Sequence, residues 1–260
     1  RSAAKGLLGG VGLALAAGLC AMAPAFAADP GVTKDTITIG VFGPRTGPAN
    51  IYRLIDEGAI AVYNEANASG GIHGRKLKVI YEDDGCDPTK TRAAVKKLIY
   101  RDEVFLIHGG NCTSGVLAVK DEIVENKVPY MVMGATSRKI AAPVNRYVFT
   151  TVGLGDFVGQ AMVEFGNSVP NVKKAVIVRH PDEWAEDFTN TVLAKANPAA
   201  PPTVIEVARN ISDATTQVLQ LKNLGADLVY VVLYLPESSI FFRDALKYGL
   251  KPVFVTTSTT

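Results

Sequence analysis

Strand-like and helix-like stretches alternate along this chain from residue 37 to its end, and the alternation predicts an α/β protein on parallel sheets with helices on both faces. Two further observations set the scale. Eight strand-like runs in 260 residues call for two lobes rather than one, 29–150 and 151–260, with the boundary near residue 150. The composition is 48% hydrophobic and 20% charged, spread evenly and without low-complexity segments, so each lobe has the residues for a core of its own.

Residues 1–28 are set apart as a targeting segment. Arg1 and Lys5 give a positive start, residues 7–23 an apolar run, and Ala25-Phe26-Ala27 a small-x-small cleavage site. The mature chain is therefore expected to begin near Ala28 and to be periplasmic. The apolar run is short for a membrane span of roughly 20 residues, and Leu19 before Cys20 argues against a lipid-anchored cysteine. The start at Arg1 and the stop at Thr260, just past an apolar run, lead us to expect a fragment at both ends. Removing Arg1 and Lys5 from the 27 basic residues leaves 25, equal to the 25 acidic ones. A neutral chain without a basic stripe excludes nucleic acid as a partner.

The elements follow in order. Residues 37–42 read as an apolar strand, then a helix over about 51–66 with apolar positions 51, 54, 55, 62 and 66 on one face and Gly70-Gly71 as its stop. Strand 77–81 leads to Asp87-Pro88, an N-cap and a first-turn proline that open a helix to about residue 100. Strand 104–107, helix 116–125 and strand 130–133 complete the first lobe. After a connecting stretch at 141–154, strands fit 175–178, 204–207, 228–233 and 253–255. Helices fit about 155–167, 182–196, 214–224 and 237–248, the third capped by Asp213 and ended by Gly225.

In open α/β sheets, ligands bind beyond the C-terminal strand ends. Three such loops here are rich in small polar residues: 43–48 (GPRTGP), 109–115 (GGNCTSG) and 134–137 (GATS). Glycines admit close approach to backbone N–H groups and hydroxyls add directed bonds, so the three together make a carboxylate cradle. Tyr52, Trp184 and Tyr234 stand near strand ends or helix starts, where packing and ligand contact are both open to them; Trp184 also falls on a stripe with Phe188 and Val192. Nucleotide-binding motifs are absent, since no stretch reads G-x-x-x-x-G-K-[ST] and the glycines at 153, 155 and 159 miss the dinucleotide spacing. His73, His108 and His180 are scattered without metal-ligand spacing, and His73 falls in a turn.

Cys86 and Cys112 are the only cysteines beyond the targeting segment, and in an oxidising compartment an even pair reads as a disulfide. Cys112, between a Gly pair and a helix, also stands where a nucleophile can stand, with His108 or His180 as base; this keeps a cysteine-dependent hydrolase as an alternative. A disulfide with Cys86 removes that chemistry.

The motif order ITIGVFGPRTGPA, NEANASGGIHGRKLKVIYEDDGCDP, GGNCTSG and VPYMVMGATS, followed by GADLVYVVLYLPE and KYGLKP, resembles the leucine/isoleucine/valine-binding protein family over residues 36–260. Those are type I periplasmic binding proteins of ABC transporters. The resemblance implies two hinged lobes closing on a ligand, the second incomplete here, and no catalytic group, metal or cofactor. It implies a Cys86–Cys112 disulfide, a ligand cradle at Thr113, Ser114, Gly134, Ala135 and Thr136, and cleft walls at Tyr52 (or Ile51), Trp184 and Tyr234. The implied function is that of a monomeric receptor delivering an amino acid or related small carboxylate or amide to membrane permease subunits. A ligand-sensing domain of the same fold is the alternative. One departure concerns the ligand: near Ser258 amino-acid binders carry a carboxylate for the ammonium, whereas this chain reads Thr256-Thr257-Ser258. Glu237, or an acidic residue in the C-terminal part expected to follow, is left to take that role, and Arg45 is an unusual guest in the first glycine loop.

Overall fold

Nine strands and eight helices alternate in a computed structural model that describes residues 29–257. Residues 1–28, expected above to be a targeting segment, and Ser258 lie outside the described residues. The first sheet takes β1 (Thr36–Gly43), β2 (Lys76–Asp83), β3 (Leu106–Gly109), β4 (Tyr130–Val132) and β5 (Val148–Thr150) in the spatial order β2-β1-β3-β4-β5. The second takes β6 (Ala175–Arg179), β7 (Thr203–Glu206), β8 (Leu228–Val232) and β9 (Val253–Thr256) in the order β7-β6-β8-β9. Every pairing in both sheets is parallel. The helices are α1 (Arg53–Ala68), α2 (Pro88–Tyr100), α3 (Thr113–Glu125), α4 (Arg138–Ala141), α5 (Gly155–Ser168), α6 (Glu183–Lys195), α7 (Thr215–Leu224) and α8 (Leu235–Lys247).

Local chemistry explains the boundaries. Asp87 caps α2 by accepting the Thr89 and Lys90 N–H groups at 2.8 and 2.9 Å, a device worth about 1 kcal/mol. Gly225 ends α7 in the left-handed conformation (φ 63°) that other residues adopt at a cost. Asp182 caps α6 through the Ala185 N–H. Strand β8 is buried along its whole length and β6 nearly so, as a central parallel strand covered on both faces must be. Helices α2 and α3 pack one face of the first sheet around Leu98, Ile107, Val116, Val119 and Tyr130. In the second sheet, α5 and α6 cover one face through Met162, Phe188 and Val192, and α7 and α8 the other through Val218, Leu221 and Phe241.

Four expectations are corrected. Helix α1 turns its apolar stripe outward: Leu54, Ile55 and Val62 are exposed, and Asp56, Ala59 and Tyr63 face the sheet. The polar residues on that inner face each have a fixed partner: Tyr81 and Asn111 for Asp56, His108 for Tyr63, and the Leu77 backbone for Asn67. Strand β3 begins two residues later than expected, because the Val104 N–H still closes the turn out of α2 on Leu98 O. Helix α3 begins at Thr113, three residues early. Gly115 lies so close to α2 that a Cβ would meet Thr91 Oγ1 at 2.7 Å, so the small residues read as a loop are the first helical turn, packed against a neighbour. The stretch at 141–154 also contains β5, too short at three residues to stand out from sequence.

The disulfide between Cys86 and Cys112 is present and joins the loop after β2 to the N-cap of α3. Closing a segment with a sequence separation of 26 stabilises by about 3.5 kcal/mol on a chain-entropy account. Non-reducing peptide mapping of protein purified without reductant is expected to show the two cysteine peptides linked; two free thiols would refute this.

Candidate functional site

Where consecutive strands lie on opposite sides of a common neighbour, their connections leave in opposite directions and a crevice opens at the strand ends. The order β2-β1-β3 puts one such crevice beyond Gly43 and Gly109, and the order β7-β6-β8 puts another beyond Arg179 and Val232. A cavity of about 310 Å³ lies between them. Its first-sheet wall is Tyr52, Ile55, Asn111, Met133, Gly134 and Thr136, and its second-sheet wall is Val158, Trp184, Phe188, Tyr234 and Thr257, joined by Val152 and Gly153. The volume suits a small ligand. Among the described residues, no charged side chain lines the cavity.

Five of the nine positions marked in the sequence meet here: Tyr52, Gly134, Thr136, Trp184 and Tyr234. Ile51, the alternative to Tyr52, does not line the cavity. Three others do not reach it either. Thr113 is fully buried in the first turn of α3, Ser114 sits in the same turn, and Ala135 is fully buried in the core of the first sheet. The early start of α3 withdraws the first two. Ser258 lies outside the described residues. The loop at 43–48 is not part of the cradle: Asp83 takes the Arg45 and Thr46 N–H groups at 2.8 and 3.2 Å and the Thr46 hydroxyl at 2.6 Å. Burial nudges the Asp83 carboxyl up, but the Thr46 hydroxyl and the Arg45, Thr46 and Gly85 amides outweigh it and hold the group low. Arg45 stacks on the Tyr81 ring at 4.2 Å instead of reaching the cavity.

Ile55, Met133, Val152, Gly153, Val158, Phe188 and Thr257 also line the cavity and were not marked as site residues, and Asn111 was marked only as part of the 109–115 loop. Asn111 had a signal, since it stands one residue before Cys112 at the end of a glycine-rich strand–helix loop. Behind it, Asp56 is fully buried, accepts the Tyr81 hydroxyl at 2.5 Å and takes Asn111 Nδ2 on both oxygens at 2.9 and 3.1 Å. Burial pushes the Asp56 carboxyl up to about 6, against the pull of Tyr81 and Asn111.

The second wall is an aromatic stack. Tyr234 lies on Trp184 with ring centroids 4.2 Å apart and on His180 at 5.4 Å, and Tyr52 meets its edge at 6.0 Å from across the cavity. Arg209 covers the Tyr234 ring at 4.1 Å and donates to Glu237 Oε1 at 3.2 Å, which also takes the Asn210 N–H at 2.8 Å. Burial would raise the Glu237 carboxyl, yet His180, the Asn210 amide and Arg209 together hold it at about 2. Glu237 is 1% exposed and does not line the cavity, so it is a support of the wall and not an anchor for a ligand's ammonium.

Direct contacts cross from one wall to the other. Tyr52 OH accepts the Leu235 N–H at 3.0 Å, and the Thr136 carbonyl accepts the Gly155 N–H at 2.7 Å. The Arg138 N–H donates to Asp187 at 2.6 Å, its side chain reaches Asp156 at 2.7 Å, and Lys139 meets Glu186 at 2.9 Å.

The profile of the family described as periplasmic binding protein matches residues 36–260. This chain belongs to that family. Among similar proteins is a leucine-, isoleucine-, valine-, threonine- and alanine-binding protein of Pseudomonas aeruginosa, 27% identical over 238 residues, which are 90% of this chain and 64% of the relative. The branched-chain amino acid transporter substrate-binding protein LivJ of Streptococcus pneumoniae, solved with isoleucine, superposes with a TM-score of 0.79 at 19% identity, covering 85% of this chain and 64% of LivJ. A solute-binding protein of an ABC transporter from Rhodopseudomonas palustris, solved with 3,4-dihydroxybenzoic acid, superposes with a TM-score of 0.77 at 21% identity, covering 86% and 61%. This periplasmic binding protein thus spans about 64% of the length of the Pseudomonas aeruginosa relative.

The raised Asp56 carboxyl has a consequence for stability. A carboxyl whose pKa is higher folded than unfolded contributes stability that is full below the unfolded value, near 4, and is lost as pH rises through about 6. The loss is on the order of 2–3 kcal/mol for this fully buried group. Asp56→Asn, which cannot ionise, is therefore expected to raise the thermal midpoint relative to the parent protein at pH 8 by several degrees more than at pH 4.5. A difference that does not change with pH would show that the carboxyl keeps its ordinary value.

Proposed function

We propose that this periplasmic binding protein is exported and holds a small ligand between two lobes, residues 29–150 and 151–260, for delivery to the permease subunits of an ABC importer. The observation that carries the reading is the cavity itself, which lies where the crevices of two parallel sheets face each other and is walled by residues of both. The ligand class we infer is an amino acid or a related small carboxylate or amide. The relatives support that range, because one is solved with isoleucine and another with 3,4-dihydroxybenzoic acid. Stacked Trp184 and Tyr234 suit a flat or branched apolar body, and Thr136 offers a hydroxyl on the opposite wall.

A hydrolytic reading finds no support at Cys112, whose sulfur is committed to Cys86. His108 is held by Tyr63, and His180 is fully buried with Nδ1 against the Val207 carbonyl at 2.8 Å, so neither histidine faces a free thiol.

Thr136 Oγ1 is buried without a partner, so a ligand group is its natural complement. A hydrogen bond to a charged group contributes about 1.5–3 kcal/mol, and Thr136→Ala should weaken binding about tenfold or more while leaving the circular dichroism spectrum unchanged. Trp184→Ala should weaken it further by opening the aromatic stack. Calorimetric titration of the full-length protein with isoleucine and with 3,4-dihydroxybenzoate decides both. Unchanged affinity in the two variants would place the ligand outside this cavity.

A further inference from the structure

We propose that the Asn111 amide, locked in one orientation by the buried Asp56 carboxylate, makes the cavity select ligands that bring an N–H or O–H donor to its first-sheet wall. The inference rests on the reading of this cavity as the ligand site and adds a recognition chemistry to it.

Three observations carry it. Asn111 lines the cavity and is 7% exposed, and its Oδ1 is buried without a hydrogen-bond partner. Its Nδ2 is bound by both oxygens of Asp56, a residue with no exposed surface. The two ends of the amide also face opposite ways. A Cβ built on Gly43 would meet Nδ2 at 2.9 Å, whereas a Cβ built on Gly134, a lining residue, would meet Oδ1 at 2.8 Å.

A carboxylate only accepts hydrogen bonds, so it dictates which end of the amide it holds. Flipping Asn111 would set Oδ1 against the Asp56 oxygens, and the Tyr81 hydroxyl already occupies Oδ2 from the other side. The cavity wall therefore presents an acceptor that cannot turn into a donor. The negative charge behind the amide strengthens that acceptor, because hydrogen bonds in a chain polarise one another. Thr136 Oγ1, also unpartnered, can donate or accept and imposes no such choice. A buried acceptor left empty is costly, and a site of this kind rejects analogues lacking the complementary group far more strongly than it rejects a missing methylene. An ammonium, an amide N–H and a phenolic hydroxyl share the required chemistry; a bare carboxylate at this point would set acceptor against acceptor.

The test uses matched pairs in which one member carries donor groups that the other lacks: isoleucine against its deaminated acid, and 3,4-dihydroxybenzoate against benzoate. Full-length protein is titrated with all four, and so are Asn111→Leu and Asp56→Asn. We expect the donor-bearing member of at least one pair to bind the parent protein at least tenfold more tightly. The pair that shows the preference identifies the donor as ammonium or hydroxyl. Asn111→Leu should abolish the preference, and Asp56→Asn, which frees the amide to turn, should reduce it several-fold. Equal binding of both members of each pair to the parent protein would overturn the inference and leave the solute-binding reading standing. Preference retained by Asn111→Leu would overturn it as well. Failure of all four compounds to bind would remove the ligand class proposed above and this inference with it. The comparison within the parent protein needs no variant to fold.

Discussion

Parallel pairing constrains everything else in this molecule. Strands that run the same way all end at one edge of their sheet, so every connection into a helix is made there, and the helices return along the faces. Wherever the strand order reverses, the first connections part, and a gap opens that no side chain of the sheet can fill. Both sheets reverse once, at β1/β3 and at β6/β8, and the chain sets the two gaps face to face. The residues flanking them are therefore those that follow a strand or open a helix: Asn111 after β3, Thr136 after β4, Trp184 in the first turn of α6 and Tyr234 after β8.

The two walls are stiffened by different means. On the first-sheet side a buried carboxylate gathers a tyrosine and an amide, an arrangement that gives up charge solvation in exchange for fixed geometry. On the second-sheet side a sandwich of rings is clamped by Arg209 and its carboxylate partner Glu237. Neither charged centre touches the cavity. Their fields reach it through an amide and through aromatic faces, which keeps the lining neutral while its shape stays rigid.

The elements with strong local signals were legible in the sequence. Asp87-Pro88 and Gly225 mark helix ends by their own backbone chemistry, and the apolar runs of β6 and β8 can only be buried strands. What the sequence concealed depends on partners far away in the chain. The face that α1 buries cannot be read from its apolar stripe, because Asp56 and Tyr63 are made acceptable by Tyr81, Asn111 and His108. The helical state of Thr113-Ser114-Gly115 is decided by the proximity of Thr91 in α2. In the same way, the glycine loop at 43–48 looked free until Asp83 claimed its amides. Three of the four aromatic residues that line the cavity were visible as Tyr52, Trp184 and Tyr234, whereas Asn111 acquires its meaning only from the carboxylate behind it.

The contacts between the walls bear on time as well as on geometry. Tyr52 reaches across to the Leu235 amide, the Thr136 carbonyl to Gly155, and Arg138 and Lys139 to three carboxylates of the opposite side. These bonds join the two walls of the cavity, so that, on the function proposed above, an occupant leaves only after they part. Their strength is felt in the residence time of the occupant more than in the rate at which it arrives. The exposed pairs among them, such as Lys139 with Glu186, are weakened by salt, whereas the Tyr52 and Thr136 bonds are not. The lifetime of the closed state thus has a component set by the ionic strength of the surroundings and another fixed by the fold.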